Sequence, residues 1–340
     1  EFLTTQDTSY ISQTIIDGNF IDATVQFDSG ETINSILDGF TIINGQDNFY
    51  GGGIYCNGSS PILRNLIIRD NGYSGVNSKS SSIHLENSII EDNVDDGGIY
   101  CSYGDAIIEN CIIRNNDSWS GGGGIRNQYA NVTLINVALY NNSATCGAGI
   151  AVECGSSSVT LNLFNCNIYN NSADQYGGGI YIEDGVYAGN DPIVNFSDTQ
   201  LSNIYSNHAA AGDDIYFQTY DYPNYFNVIL ETFSVITPTE HFVEPIEYFT
   251  FSINQGIYQQ TDQDLFVSPT GSNNNSGLSF AEPLKTLDVA LKKANNSPGD
   301  TLYIYLDEGL YSKEENGEKF PINCDDYVSI IGSDIGQTIL

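Results

Sequence analysis

The side chains of this 340-residue sequence best suited to chemistry are carboxylates and arginines at the ends of short apolar runs. Asp92 and Asp95 follow one such run, and Arg114 closes the next. Paired carboxylates can act as general acid and base, so these three residues are the catalytic candidates. Aligned copies nevertheless place Arg69, Glu91 and Arg114 in one column, which is typical of a structural charge ladder.

The histidines do not form a recognisable catalytic or metal-binding pattern. His84, His208 and His241 are isolated in the sequence, and no serine, histidine and aspartate are spaced as a triad. We therefore predict that the chain is not an enzyme and has neither a cofactor nor a metal site. Because the chain is strongly acidic, Ca²⁺ binding stays open as an alternative.

The seven cysteines include no Cys-x-x-Cys motif, which argues against a zinc or redox site. Cys56 aligns with Cys101, and Cys111 aligns with Cys166, in each case two repeats apart. Two repeats would span about 9.6 Å, beyond the reach of a disulfide, so these four are predicted to be buried thiols. The pairing of Cys146 with Cys154 is left open.

The charge of the chain excludes several kinds of partner. Lys and Arg number 10 against 43 Asp and Glu, which gives a net charge of −33. Binding to nucleic acid or to an anionic membrane surface needs clustered cations, and is therefore not expected. No apolar run approaches 18 residues and the sequence contains no methionine, so we expect a mature product or a piece of a longer polypeptide.

A glycine-rich motif positions the polar residues along the chain. Gly51-Gly52-Gly53-Ile54-Tyr55 recurs in altered form, and its isoleucine positions are separated by 22 to 35 residues. Repeats of this period indicate a stacked architecture. We expect the last glycine of each copy to permit a bend where a side chain would collide, at Gly53, Gly98, Gly124, Gly149 and Gly179.

Two asparagine columns accompany the motif. The first is expected at left-handed corners and comprises Asn65, Asn87, Asn110, Asn136 and Asn165, with Asp198 in the same place. An apolar column follows three residues later, at Ile68, Ile90, Ile113, Leu139, Ile168 and Leu201. The second asparagine column lies six residues after the first and is expected to hydrogen-bond along the stack, at Asn71, Asn93, Asn116, Asn142 and Asn171.

Three short strands per repeat, with like residues stacked on each other, predict an all-β parallel β-helix, a solenoid. The Gly-Gly-x-Ile copies and Ile168-Tyr169-Asn170-Asn171-Ser172 resemble the repeats of chlamydial-type polymorphic outer-membrane proteins. They resemble equally the bacterial right-handed β-helix repeat proteins of cell surfaces. The resemblance covers about residues 10–217, and implies a right-handed helix and an extracellular location.

The domain prediction has three parts: a β-helix over 1–225, terminal strands and a linker over 226–263, and a small α/β cap module over 264–340. Leu284, Leu287, Leu291 and Ala294 share one face of the single amphipathic helix. The order of elements in the third part resembles a bacterial module of unknown function that begins many β-helix proteins and caps their first turn.

A module that usually caps the first turn of a β-helix stands here at the end of the sequence. This position suggests that the 340 residues are one period of a larger repeating assembly. Gln337-Thr338-Ile339-Leu340 also echoes Gln13-Thr14-Ile15-Ile16. Either the native polypeptide holds tandem β-helices, or subunits associate head to tail, which generates filaments when the arrangement does not close. We therefore predict an extracellular structural or adhesive protein that associates with itself.

Two alternatives involve carbohydrate. Polysaccharide lyases and hydrolases use this fold with carboxylates and often an arginine on an outer face, as at Asp92, Asp95 and Arg114. The second alternative is a glycan-binding adhesin that does not polymerise. The aligned Tyr55, Tyr100 and Tyr181 suit stacking on sugar rings, although tyrosine is also a good strand residue.

Overall fold

A computed structural model describes residues 8–46, 51–155, 158–185, 191–220, 224–295, 300–333 and 338–340. The chain forms two compact units. The first comprises Glu1–Phe233 with Phe242–Gln255, and the second Ser234–His241 with Gly256–Leu340. The predicted boundaries at 225 and 263 stay predictions. None of the helices in the described ranges is long and apolar enough to cross a membrane.

Three long parallel sheets, here called A, B and C, wind around the first unit. Sheet A has ten strands: Ile15–Asp17, Thr41–Ile43, Ile67–Arg69, Ile89–Glu91, Ile112–Arg114, Ala138–Tyr140, Asn167–Tyr169, Ser202–Tyr205, Phe226–Phe233 and Phe249–Gly256. Sheet B has nine: Val25–Phe27, Ile54–Asn57, Val76–Lys79, Ile99–Ser102, Ile125–Gln128, Ile150–Gly155, Ile180–Gly185, Ile215–Gln218 and Val243–Glu244.

Sheet C has seven strands: Ile36–Asp38, Ile62–Arg64, Ile83–Glu86, Asp105–Glu109, Asn131–Ile135, Thr160–Phe164 and Ile193–Phe196. A three-stranded sheet D, made of Asp117–Gly121, Ser143–Cys146 and Ser172–Tyr176, extends one corner. Short 3₁₀ helices occupy Thr8–Gln13 and Ile246–Tyr248. The predicted parallel β-helix is confirmed, with one strand of each long sheet in a typical coil.

The repeated motif begins seven of the nine strands of sheet B. Its aligned residues pair directly from coil to coil, at Ile54, Val76, Ile99, Ile125, Ile150, Ile180 and Ile215. Val25 and Val243 extend this column at its two ends, beyond the copies recognisable in the sequence. Ile54 and Ile125 are fully buried. Stacked apolar side chains therefore form a continuous core, because alternate residues of each strand point inward.

The second asparagine column is a buried amide ladder. The backbone N–H and side-chain Nδ2 of Asn93 both donate to Oδ1 of Asn116, at 3.1 and 2.9 Å, and the same pair of bonds joins Asn116 to Asn142. Nδ2 of Asn116 also donates to the Ile90 carbonyl at 3.0 Å. Each amide is thus paired on both sides, which offsets the cost of burying it.

The ladder runs from the Gly45 backbone N–H, which donates to Asn71, to a carboxylate. Asn207 follows Asn171 and donates to Oδ1 of Asp214 from Nδ2 at 2.9 Å. Each ladder asparagine donates its backbone N–H and one Nδ2 N–H towards this end, and Nδ2 also donates to a carbonyl of the preceding coil. A carboxylate therefore accepts the last donors, which favours a negative charge there.

The last glycine of each motif packs directly over the ladder. A Cβ at Gly98 would lie 2.7 Å from the Gly124 carbonyl oxygen and 3.0 Å from Nδ2 of Asn116. At Gly124 the corresponding contacts are 2.6 Å to the Gly149 oxygen and 3.2 Å to Nδ2 of Asn142. Gly53, Gly149 and Gly179 show the same crowding by the next coil. Close approach of the backbone, rather than an unusual φ, requires glycine at these positions.

The first asparagine column lies at corners with left-handed backbone. Asn65, Asn87, Asn110, Asn136 and Asn165 have φ between 52° and 54°. Asparagine tolerates this conformation better than most residues because its short polar side chain bonds locally. Exposed amides also pair between neighbouring corners, as where Nδ2 of Asn165 donates to Asn136 at 2.7 Å.

The alignment at Asp198 and Leu201 is wrong. Ile168 pairs with Ile204, not with Leu201, and Asp198 is not among the left-handed residues of the described ranges. Eight residues separate Phe196 from Ile204, against five between Leu163 and Ile168. A longer corner thus shifts the following residues by three, which hid Asn207 from the sequence alignment.

The second unit has a three-stranded parallel sheet, in the order Leu265–Val267, Leu302–Leu306 and Val328–Gly332. Gly309–Leu310 pairs with Thr338–Ile339. Its helix spans Leu287–Lys293, and the Thr286 hydroxyl caps it by accepting from the Val289 N–H. Leu284, Leu287, Leu291 and Ala294 lie in the apolar core of this unit. Lys292 is also fully buried, with Nζ 2.9 Å from Asp288.

We expect Asn116→Ala to lower the free energy of unfolding by about 3 kcal/mol, because it leaves buried donors of Asn93 and the Ile90 carbonyl unpaired. Chemical denaturation followed by circular dichroism measures this. Asn131→Ala, which removes an exposed amide bonded to Asp105, is the matched control and should change stability by less than about 0.5 kcal/mol. Equal losses for the two variants would contradict a stabilising role of the ladder.

Candidate functional site

Arg114 lies in a charge ladder on the outer face of sheet A. Its Nη2 is 2.6 Å from Oε2 of Glu91, and its Nη1 donates to the Tyr140 hydroxyl at 2.9 Å. Glu91 is in register with Arg69 on one side and Arg114 on the other. These bonds hold the Arg114 guanidinium in place. The hydrogen bond to Tyr140, and then the one to Glu91, raise the pKa of Arg114. The group is therefore a structural cation.

Asp92 and Asp95 are exposed and lie in left-handed corners, with φ of 56° and 75°. Neither carboxylate forms an ion pair with Arg114 among the described residues. The backbone N–H of Asp92 donates to the Arg114 carbonyl at 3.4 Å, so the two residues are neighbours on successive coils, and the catalytic assignment stays a prediction.

A different arginine, Arg126, organises a partly buried cluster on the outer face of sheet B. Its Nε and Nη2 form a bidentate contact with the Glu153 carboxylate, at 3.0 and 3.1 Å. Nη1 donates to the Ser120 hydroxyl at 3.1 Å and lies 3.7 Å from Oδ1 of Asp96. The guanidinium carbon also lies 5.4 Å from the centre of the Tyr100 ring. We call these five residues the Arg126 cluster.

The strands that carry this cluster come from successive coils. Tyr100, Arg126 and Ala151 are in register in sheet B, and Gln128 pairs with Glu153 one position along the same face. Gln128 donates to Oε2 of Glu153 at 2.8 Å and accepts from the Tyr100 hydroxyl. Sheet D supplies Ser120 from the adjacent corner. Backbone register therefore brings the polar groups together.

Burial sets the electrostatics of the cluster. The exposed fractions of the Arg126, Asp96 and Glu153 side chains are 19%, 6% and 13%. Burial raises the pKa of Asp96, and the attraction of Arg126 and the Tyr73 phenol offset only part of this shift. Burial alone would lower the pKa of Arg126, but Glu153 outweighs that effect, so the pKa is raised and the guanidinium stays charged. Asp96 is thus the carboxyl in this cluster best suited to hold a proton.

Sequence reasoning missed Arg126 and Glu153 as a site. The available signal was a break in a column: Arg126 takes the place that Tyr55, Tyr100 and Tyr181 hold in other copies of the motif. Its partner Glu153 lies 27 residues further along the chain. Only the register of the coils brings the two groups into contact.

Tyrosines stack in two groups on the outside of the coil. Tyr169 lies between Tyr140 and Tyr205 on sheet A, with centroid distances of 5.0 and 5.3 Å. Near sheet B, Tyr176 stacks on Tyr216 at 4.5 Å, and Tyr181 lies 6.1 Å from Tyr216. Aromatic pairs at these separations stabilise neighbouring coils. Their half-exposed rings also provide apolar surfaces of the kind that sugar rings contact.

An open groove of about 540 Å³ lies on sheet B at the first coils. Tyr55 and Gln26 line it together with three charged groups, Asp22, Asp28 and Lys79. Tyr55 is almost fully buried, so its ring packs rather than projects. The groove combines carboxylates, amides and one cation, which are groups that hydrogen-bond hydroxyls.

All seven cysteines are free thiols, including Cys146 and Cys154. Cys56, Cys101, Cys111 and Cys166 are buried, and Cys324 is exposed. Burial raises the pKa of Cys101 and of Cys154 to about 12, and that of Cys146 to about 11. Since the thiolate is the reactive form, these side chains are inert at neutral pH.

Two families match the sequence. The model described as right handed beta helix region matches residues 52–229, more than half of the chain. The model described as protein of unknown function (DUF1565) matches residues 269–339. The first match agrees with the predicted right-handed coil, and the second with the predicted module of unknown function. No curated protein and no solved structure matches the chain.

In the native protein at pH 8, we expect one thiol to react rapidly with Ellman's reagent and the others slowly or not at all. Cys324 is exposed, whereas Cys146 is partly buried and the remaining five are buried. All seven should react in guanidinium chloride. Cys324→Ser should remove the rapid phase, and a rapid phase of several thiols would contradict the packing of the coil.

We also expect the burial of Asp96 to be visible in stability against pH. Its folded-state pKa is raised, so the stability linked to its protonation is present below the unfolded value of about 3.9 and is lost as pH rises through the folded value. The free energy of unfolding of the wild type minus that of Asp96→Asn should therefore fall across this range. Urea titrations from pH 3.5 to 8 measure it, with Asp95→Asn as the exposed control, and a flat difference would contradict the shift.

Proposed function

The chain belongs to the family of right-handed β-helix proteins, and we propose that it is an extracellular structural or adhesive protein whose units associate end to end. The likeness of its repeats to chlamydial-type polymorphic outer-membrane proteins and to other bacterial surface β-helices supports this class. In this proposal the protein is not an enzyme and its principal partner is another copy of itself, in tandem or head to tail.

The observation that carries the proposal is the exposure of the first coil. Ile15–Asp17, Val25–Phe27 and Ile36–Asp38 are the edge strands of sheets A, B and C. Phe20, Ile21 and Ile33 beside them have exposed fractions of 61%, 76% and 65%. Parallel edge strands with apolar neighbours are a template for adding a further strand.

The second unit offers a matching edge. Val328–Gly332 is the outer strand of its parallel sheet, and Thr338–Ile339 the outer strand of the smaller one. Ile331, Ile339 and Leu340 are exposed. Thr338-Ile339-Leu340 is similar to Thr14-Ile15-Ile16, at the beginning of sheet A, while Gln337 lies outside the described residues. A coil from another copy of this chain is therefore a suitable partner for the edge strands of the first coil and for the outer strands of the second unit.

The buried thiols are compatible with an oxidising location. Burial keeps Cys101 and Cys154 protonated and out of contact with oxidants. An extracellular β-helix built in this way does not depend on disulfides, because the stacked coils supply a continuous core.

We expect Ile21→Asp with Ile33→Asp to raise the concentration for half-assembly at least tenfold, because burying each isoleucine contributes roughly 1.5–3 kcal/mol. Sedimentation velocity over a concentration series, with electron microscopy of native material, measures this. Ile107→Asp is the matched control, since Ile107 is an exposed apolar residue in the middle of sheet C. Wild-type protein that stays as isolated short particles at every concentration would overturn head-to-tail association. The gene sequence after Leu340 decides between tandem and separate copies.

Carbohydrate recognition is the second candidate. The stacked tyrosines, the groove beside Tyr55 and the raised pKa of Asp96 favour it. A binding and cleavage screen against acidic polysaccharides tests this candidate. Cleavage that is lost in Asp96→Asn, or in Asp92→Asn or Asp95→Asn, would establish an enzyme, and binding without cleavage a glycan-binding adhesin.

A further inference from the structure

Three potential metal ligands meet on the outer face of sheet C. His84 and Glu86 lie two residues apart on the strand Ile83–Glu86 and therefore share a face. Glu109 lies on the next strand, directly in register with Glu86. Coil stacking thus adds Glu109 to the pair that His84 and Glu86 already form on one strand.

The distances suit a small cation. One ligand atom from each residue lies within 4.8 Å of the other two, and Nε2 of His84 is 3.3 Å from Oε1 of Glu109. Around tetrahedral Zn²⁺, bonds of about 2.0–2.1 Å place neighbouring ligand atoms about 3.3–3.4 Å apart. Small side-chain rotations would therefore bring all three groups to one ion.

The charges at this position are incompletely balanced. Glu86 and Glu109 are like charges directly opposite each other, an arrangement that destabilises a sheet. The Arg64 guanidinium faces both acids of its neighbouring coils, with Nη1 3.9 Å from Glu86 and Nε 2.8 Å from Asp38. On the other side Glu109 is in register with the apolar Ile135. An additional cation would relieve the repulsion.

The imidazole provides an independent indication. Nε2 of His84 is buried from solvent and makes no hydrogen bond, although a carboxylate oxygen lies 3.3 Å away. A buried ring nitrogen without a hydrogen bond is costly, whereas a metal ion would use its lone pair. Both glutamates and the histidine are partly exposed, so an ion could enter from solvent.

We propose that His84, Glu86 and Glu109 form a binding site for a divalent transition metal such as Zn²⁺. One nitrogen and two carboxylate ligands favour Zn²⁺ over Ca²⁺, which takes six to eight oxygens. Water fills the remaining position. The ion joins two successive coils, and the site is independent of the proposed association of units.

Isothermal titration calorimetry of tag-free, chelator-treated protein with Zn²⁺ measures the number of sites and their affinity, and so tests the proposal. We expect one site that His84→Ala weakens at least tenfold and Glu109→Gln weakens as well. Asp105→Asn is the matched control, because it removes one exposed charge from the same strand outside the group and should leave binding unchanged. Zn²⁺ should also raise the thermal midpoint of the wild type and not that of His84→Ala.

Absence of Zn²⁺ binding by the wild type would overturn the proposal. Equal binding by the wild type, His84→Ala and Glu109→Gln would overturn it too, since a diffuse attraction to the acidic surface would then explain the uptake. If His84→Ala does not give the wild-type circular dichroism spectrum, the Zn²⁺ affinities of Glu109→Gln and Asp105→Asn are compared instead. Equal affinities of these two variants would then overturn the proposal. Stronger binding of Ca²⁺ than of Zn²⁺ would contradict the role of the imidazole.

Discussion

The structure of the coil depends on one interaction: each buried asparagine of the ladder is paired by the coils on both sides. The amide ladder from Asn71 to Asn207 achieves this pairing with a single residue type, because asparagine donates and accepts at once. Glycines such as Gly98 allow the next backbone to lie against the ladder. The core, the corners and the placement of outward side chains all follow from this fixed stacking.

Features that recur in every coil could be predicted from the sequence. The motif isoleucines, the ladder asparagines and the corner asparagines each repeat because each copy meets the same environment. Prediction failed where one coil differs from its neighbours. The longer corner before Ile204 moved the alignment by three residues, and neither propensity nor periodicity marks the insertion.

The outward chemistry was predictable only in part. Asp92, Asp95 and Arg114 were singled out by residue type, yet Arg114 is bound to Glu91 and Tyr140 while both aspartates are exposed. Arg126 and Glu153 form the more buried cluster, but they belong to different coils and no local pattern connects them. Side chains on the outer face carry no constraint from the core, so their contacts need the register of the sheets. The same is true of His84 and Glu109, which only the stacking of the coils brings together.

The ladder also determines how the coil would respond to a pulling force. Hydrogen bonds between coils run along the stacking direction in all three sheets, so tension in this direction loads them together with the amides. The coil that contains Gly45 has no side-chain amide to contribute to the ladder, and the series stops at Asp214. The ladder therefore reinforces the coils between Gly45 and Asp214, and in a fibre of such units the junctions between units would lack its amide bonds.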